Sequence, residues 1–175
     1  GYATQYQQNP EPPGGLIFNR AWLGKRWLAL PDGGRNGRWL QSWDLSFMGE
    51  ESSDYVVGTV WFQHGGDFYL VDMLREKLDF PATCEAIRYL SRKHPQSRTK
   101  LVELKANGPA VLATLQREIS GLLPYNPGTT TKAARAHAVA PYFEAGNVWL
   151  PTQAEWVDDY VDELAGFPRR KHDDQ

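Results

Sequence analysis

Asp44 stands in the stretch Leu40-Gln41-Ser42-Trp43-Asp44-Leu45-Ser46-Phe47. A strand places successive side chains on opposite faces. Trp39, Gln41, Trp43, Leu45 and Phe47 therefore share one face, and Leu40, Ser42, Asp44 and Ser46 share the other. A carboxylate among small polar groups on a central strand can meet carboxylates from other strands and hold a hard divalent cation. The alternative is an edge strand whose aspartate simply faces water. Glu103, at the end of another apolar run, occupies a comparable position, and Asp173 and Asp174 offer a third acidic group. The four histidines are scattered without zinc-ligand spacing and the only cysteine is Cys84, so this donor set favours Mg²⁺ or Mn²⁺ over Zn²⁺. Two such ions about 3.5–4 Å apart can activate water and stabilise the leaving oxygen of a phosphodiester. Against this stands the reading of three unrelated acidic positions far apart in sequence. Asp54, at the start of a strand, is either a turn residue or a support behind the metal ligands. Asp72 interrupts an apolar strand and reads as structural, pairing with a basic group or facing solvent.

These carboxylates need a scaffold, and the chain supplies one in order. Residues 1–15 are rich in Gln, Pro and Gly, as a linker is. Leu16 to Leu30 mixes aromatics with basic residues, an arm expected to pack on the main sheet. Pro31 to Arg38 is turn chemistry that delivers the chain into the Asp44 strand. Tyr55 to Phe62 and Phe68 to Leu74 read as two more strands, completing an antiparallel meander. Phe80, Cys84, Ile87 and Leu90 have helical spacing, with Pro81 in the first turn and Pro95 as the stop. Lys100 to Leu104 is a short strand. Asn107-Gly108-Pro109 opens a helix, and Leu122 to Asn126 is a further strand. Thr129 to Thr131 offer caps for a helix from Lys132, with a break expected at Pro141. After an extended piece at Val148 to Leu150, Thr152-Gln153-Ala154-Glu155 reads as a capping box for a last helix, which Gly166 and Pro168 end. The order predicts an α/β fold: a mixed central sheet, built from a three-strand antiparallel meander plus parallel strands, with helices on both faces and the Asp44 strand at its centre.

A chain of 175 residues with 41% hydrophobic and 13% aromatic residues can build one sizeable core. Its formal net charge of −2 names no partner, so any nucleic-acid surface has to be a local patch. One cysteine rules out an intrachain disulfide. No signal peptide and no membrane-spanning apolar run is seen, and the expected compartment is reducing.

Several motifs now stand in sequence: Ser42-Trp43-Asp44-Leu45-Ser46-Phe47, Ser53-Asp54-Tyr55, Tyr69-Leu70-Val71-Asp72 and Val102-Glu103-Leu104-Lys105-Ala106-Asn107-Gly108-Pro109-Ala110. Thr131-Lys132-Ala133-Ala134-Arg135-Ala136, Phe143-Glu144-Ala145-Gly146-Asn147-Val148 and His172-Asp173-Asp174-Gln175 follow. In this order they resemble the nuclease domain of the large terminase subunit of tailed bacteriophages, from about Trp39 to the last residue. The resemblance implies a ribonuclease H-like fold over residues 39–175, with residues 1–38 a linker or arm from an ATPase motor. It implies a two-metal endonuclease, using Mg²⁺ or Mn²⁺, that cuts concatemeric double-stranded DNA during packaging. Asp44 then matches the first-strand metal ligand and Glu103 the acidic residue of the second motif. Asp173 and Asp174 match the acidic pair that opens the last helix, at least one of them a ligand. Lys132 and Arg135 match basic positions facing the site or the DNA. DNA approaching this acidic cluster needs a basic patch, for which Lys105, Lys132, Arg135, Arg169, Arg170 and Lys171 are the candidates. The partners implied are the phage portal, the small terminase subunit and the motor domain, and the place is the host cytoplasm.

Three departures accompany the resemblance. Leu104 follows Glu103 where many relatives are expected to carry another acidic residue. The sequence stops at Gln175, where the family continues into a helix with a further aspartate. No Gly-x-x-x-x-Gly-Lys-Ser/Thr loop occurs. The chain is thus expected to be the nuclease part of a longer motor protein. Other readings are a non-catalytic docking domain, and another ribonuclease H-like enzyme of the resolvase or transposase type.

Overall fold

The computed structural model of the protein describes residues 15–45 and 55–169. They fall into two compact units, one formed by residues 29–129 and the other by residues up to 28 together with those from 130 onward.

The first unit is organised on β2 (Arg38–Leu45). β3 (Val56–His64) and β4 (Asp67–Glu76) pair antiparallel as the expected meander, and β5 (Thr99–Glu103) and β6 (Leu122–Tyr125) run parallel on the other side. The strand order is β4-β3-β2-β5-β6, with β2 in the middle. The alternation read from the sequence holds in β2. Gln41, Trp43 and Leu45 are buried, Ser42 is exposed and Asp44 is half-buried. Trp43 fits because its cross-strand partner is Gly58, where a Cβ would come within 2.5 Å of the indole. The indole N–H donates to Gln41 Oε1 at 2.8 Å, Gln41 Nε2 donates to Ser97 Oγ at 2.8 Å, and Ser97 Oγ donates to the His94 carbonyl. A buried polar relay of this kind tolerates no missing partner, and it ties β2 to the segment that enters β5.

Helix α1 (Phe80–Lys93) and helix α2 (Gly108–Leu115) lay their apolar stripes on this same face. Asp79 caps α1 by accepting from Ala82 N–H at 3.0 Å, with Pro81 in the first turn. Cys84, Ile87 and Leu90 of α1 and Val111, Leu112 and Leu115 of α2 join Trp43, Leu45, Val56, Val60 and Val102 in one cluster. Each fully buried aliphatic side chain there contributes on the order of 2 kcal/mol. With that face filled, the other is left for the carboxylates.

The second unit holds β1 (Arg26–Trp27) paired parallel with β7 (Val148–Pro151), helix α3 (Lys132–Glu144) and helix α4 (Val157–Gly166). Ile17, Phe18 and Leu23 are buried, and Phe18 packs edge-on against Phe143 of α3 with centroids 5.1 Å apart. Two local expectations fail here. α3 does not break at Pro141. Proline removes one intrahelical bond, yet buried Ala140 and Phe143 anchor the last turn. Bonds from Ala145, Gly146 and Asn147 back to Pro141, Phe143 and Tyr142 then close the helix in a Schellman arrangement. Thr152 does not cap α4. Its N–H and hydroxyl both donate to the Trp27 carbonyl, at 2.9 and 2.7 Å, so β1 takes the groups that the capping box would have used. α4 starts only after Trp156, without a side-chain cap.

Candidate active site

Asp44 is the second-last residue of β2 and Glu103 the last of β5. The two strands are parallel, with Trp43 paired to Val102. One step further along this register, Asp44 lies beside Glu103. Trp43 and Val102 both point into the core, so the next side chains point to the opposite face. Neighbouring strands are about 4.8 Å apart. Two ionised carboxylates about 5 Å apart repel by on the order of 3 kcal/mol at an effective dielectric near 20. Glu103 is only 5% exposed, so its carboxylate depends on the groups around it.

The backbone after Glu103 is built to hold that carboxylate in place. The chain turns sharply through Lys105, whose N–H bonds back to the Glu103 carbonyl at 2.9 Å, and Gly108 N–H donates to the Lys105 carbonyl at 2.8 Å. Gly108 passes so close that a Cβ would meet the Glu103 carbonyl oxygen at 2.1 Å. Ala106 sits at φ 52°, a left-handed conformation that costs a residue with a Cβ about 1 kcal/mol. Backbone strain of this kind gathers at functional loops. Lys105 brings its Nζ to 3.9 Å from Glu103 Oε2. It is half-exposed, and so neutralises only part of the charge.

Residues 41–175 match the terminase RNase H-like domain family. The chain belongs to that family. No curated protein sequence matches it. Solved terminases share the fold of this terminase domain. The large terminase of a thermophilic bacteriophage aligns with TM-score 0.59 and 11% identity over 84% of this chain and 36% of that one. The present chain therefore spans about a third of that protein. The large terminase nuclease of thermophilic phage G20c, with bound zinc, aligns with TM-score 0.63 and 16% identity over 90% of this chain and 91% of the nuclease. The G20c nuclease is also solved with bound magnesium and with bound cobalt. The human cytomegalovirus terminase nuclease domain, soaked in manganese and inhibitor-bound, aligns with TM-score 0.60 and 12% identity over 84% of each chain.

The other expected site residues of this terminase domain are distributed as follows. Asp54, Arg170, Lys171, Asp173 and Asp174 lie outside the described residues. Among the described residues no group of three or more His, Cys, Asp or Glu side chains is gathered to hold a metal. Asp44 and Glu103 thus supply two hard oxygen donors of the expected set, which fits Mg²⁺ or Mn²⁺ in kind. Lys132 is the exposed first residue of α3, capped by Thr131, whose Oγ1 accepts from Ala134 N–H at 3.0 Å. Arg135, one turn on, is half-buried, and its Nε is out of solvent. Arg169 is exposed beyond the end of α4.

Asp72 takes the structural role read for it. It meets His94 Nε2 at 2.7 Å and Lys93 Nζ at 2.9 Å, and accepts from Met73 N–H. Burial alone would raise its pKa, but these partners outweigh burial and hold it below the usual aspartate value. Sequence reasoning did not single out Gly108 and Ala106 as supports of the site. The one signal present was the turn-forming run Lys105-Ala106-Asn107-Gly108-Pro109 directly after a strand-end acid.

Proposed function

We propose that this domain is a divalent-metal-dependent DNA endonuclease, the nuclease part of a phage packaging motor. The observation that supports the proposal most is the parallel register of β2 and β5, which ends at Trp43 opposite Val102 and, carried one step on, puts Asp44 and Glu103 on the same face of neighbouring strands. These two carboxylates are the proposed ligands of Mg²⁺ or Mn²⁺, with Asp173 or Asp174 completing the set. Divalent ions held there would supply water activation and stabilisation of the leaving oxygen in phosphodiester hydrolysis. The protein's own part is to fix the carboxylates on rigid strand ends, with Gly108 clamping the Glu103 backbone and Lys105 tempering the local negative charge. Relatives solved with magnesium, cobalt, zinc or manganese support the choice of a divalent ion.

The proposed substrate is double-stranded viral DNA. Lys105, Lys132 and Arg135, with Arg169, Arg170 and Lys171, are proposed to hold its phosphate backbone. Lys132 is well suited, because the first turn of a helix favours phosphate. An ATPase motor preceding residues 1–38, the portal and the small terminase subunit are the proposed partners, in the host cytoplasm.

Plasmid cleavage with Mg²⁺ or Mn²⁺ tests the reading. Asp44→Asn should lower the rate by more than about 100-fold while the fold persists, because an amide keeps the shape but loses the ligand charge. Cleavage at the wild-type rate by that variant, or activity that survives EDTA, would overturn it.

A further inference from the structure

The opposite end of β5 carries the opposite charge. An open cleft of about 710 Å³ lies where α1 ends and β5 begins, walled by Arg88, Arg92, Arg98, Lys100, Glu118 and the Ser120-Gly121 turn. Four cations face one carboxylate among these wall residues, in a chain of net charge −2. Arg88 is occupied by Glu118, with contacts at 2.6 and 3.1 Å. The other three are less committed. Arg92 reaches Glu85 alone among the described residues, at 3.4 Å. Arg98 is exposed and makes no ion pair among the described residues.

Lys100 is the unusual member. It is 6% exposed, and its ammonium meets no carboxylate among the described residues. Nζ donates to the Ser120 carbonyl at 3.1 Å and more weakly to the Arg98 carbonyl at 3.4 Å. An ammonium has three N–H donors, so one remains. Burial lowers its pKa with no acidic partner to offset the effect. A bound anion would favour the charged form that burial disfavours. The wall is also preformed. Lys100 N–H bonds the Gly121 carbonyl at 2.8 Å, and Ser91 holds a buried Oγ with no hydrogen-bond partner.

We infer that this cleft binds a phosphate group carried by a nucleotide-sized anion, with Lys100 at its floor and Arg98 and Arg92 closing over it. Three cationic groups suit a phosphate dianion better than a single carboxylate. The volume lies within the usual range for a small-molecule site. Free inorganic phosphate, a free nucleotide and the 5′-phosphate of a DNA strand end share this chemistry. The site is distinct from the carboxylate pair and does not depend on the nuclease reading.

The test is calorimetric titration of the full chain carrying Asp44→Asn, at constant ionic strength. The ligands are inorganic phosphate, thymidine 5′-monophosphate, thymidine, and a short oligonucleotide with or without a 5′-phosphate. Saturable binding of at least one phosphorylated ligand is expected, with thymidine and the 5′-hydroxyl oligonucleotide weaker by tenfold or more. The tightest phosphorylated ligand identifies the source. Arg98→Ala, an exposed position that leaves the core untouched, should weaken binding about tenfold, and Lys100→Met at least as much. Lys77→Ala, at an exposed lysine outside the cleft, should leave phosphate and mononucleotide binding unchanged. No saturable binding by any phosphorylated ligand, equal binding of thymidine and its monophosphate, or unchanged affinity in Arg98→Ala would overturn the inference.

Discussion

The two ends of β5 handle buried charge in opposite ways. At its start, Lys100 turns toward the face that carries α1 and is held by main-chain carbonyls beside other cations. At its end, Glu103 lies on the other face next to Asp44, with one lysine 3.9 Å away. They stand three positions apart, an odd number, so strand geometry alone sends them to opposite faces. Asp72 is held by both kinds of partner, the Lys93 ammonium and the His94 ring, each within 2.9 Å. At the two ends of β5 the charges are sorted by sign: Asp44 and Glu103 at one, Arg92, Arg98 and Lys100 at the other. One strand thus presents an acidic end, where we propose a divalent cation, and a basic end, where we infer an anion.

The largest effect is expected from pushing the acidic end apart. Gly108→Ala would force a Cβ against the Glu103 carbonyl. It should destabilise the protein by roughly 2–3 kcal/mol, by the measure of other backbone clashes. It should also cut cleavage, while phosphate binding at the basic end persists in whatever fraction stays folded. Denaturant melts and cleavage assays on one preparation check both halves. A variant with wild-type stability and cleavage would mean that the loop does not clamp Glu103.

Asp72 provides the middle-sized effect. Its folded pKa lies below the ordinary value of 3.8. Its stabilising contribution is therefore complete above that value and is lost as pH falls through the folded one. Asp72→Asn should cost roughly 2 kcal/mol near neutral pH. The gap to wild type should narrow as pH drops below about 4. Chemical denaturation across that range measures it, and a gap that stays constant would show that the charge of Asp72 contributes nothing through Lys93 and His94. Metal affinity should be unchanged in this variant, because Asp72 is engaged by Lys93 and His94 and is not among the proposed ligands.

Ala106→Gly is the smallest. Relieving the left-handed alanine should stabilise by about 0.5 kcal/mol, after the extra freedom glycine gains in the unfolded chain is offset. Loss of stability would show that the methyl group packs usefully despite its backbone.

Much of this was legible in the residues. The period-two pattern of Trp39, Gln41, Trp43 and Leu45 marked the strand and the face of Asp44, and the interruption at Asp72 pointed to a structural role, with a basic partner or solvent, of which the structure shows the partner. What stayed hidden depended on contacts between segments. Gly58 makes room for Trp43 only once the register is set. Thr152 is taken by Trp27, 125 residues away, and not by its own helix. Pro141 is tolerated because buried neighbours hold the last turn. Lys100 read as an ordinary strand residue, because the basic cleft is assembled from α1, β5 and the turn before β6. The adjacency of Asp44 and Glu103 was inferred from equivalent strand positions, and the parallel register of β2 and β5 supplies its physical basis.

The central claim is that Asp44 and Glu103 share a divalent cation. Titration of the full chain with Mn²⁺ tests it most directly, followed by calorimetry or by the electron paramagnetic resonance of free Mn²⁺, which requires no cleavage. The account predicts saturable binding that Asp44→Asn and Glu103→Gln each weaken by at least about tenfold. The double variant should be little worse than either single one, since both remove the same site. Affinity equal to wild type in both single variants, with the fold intact, would contradict it.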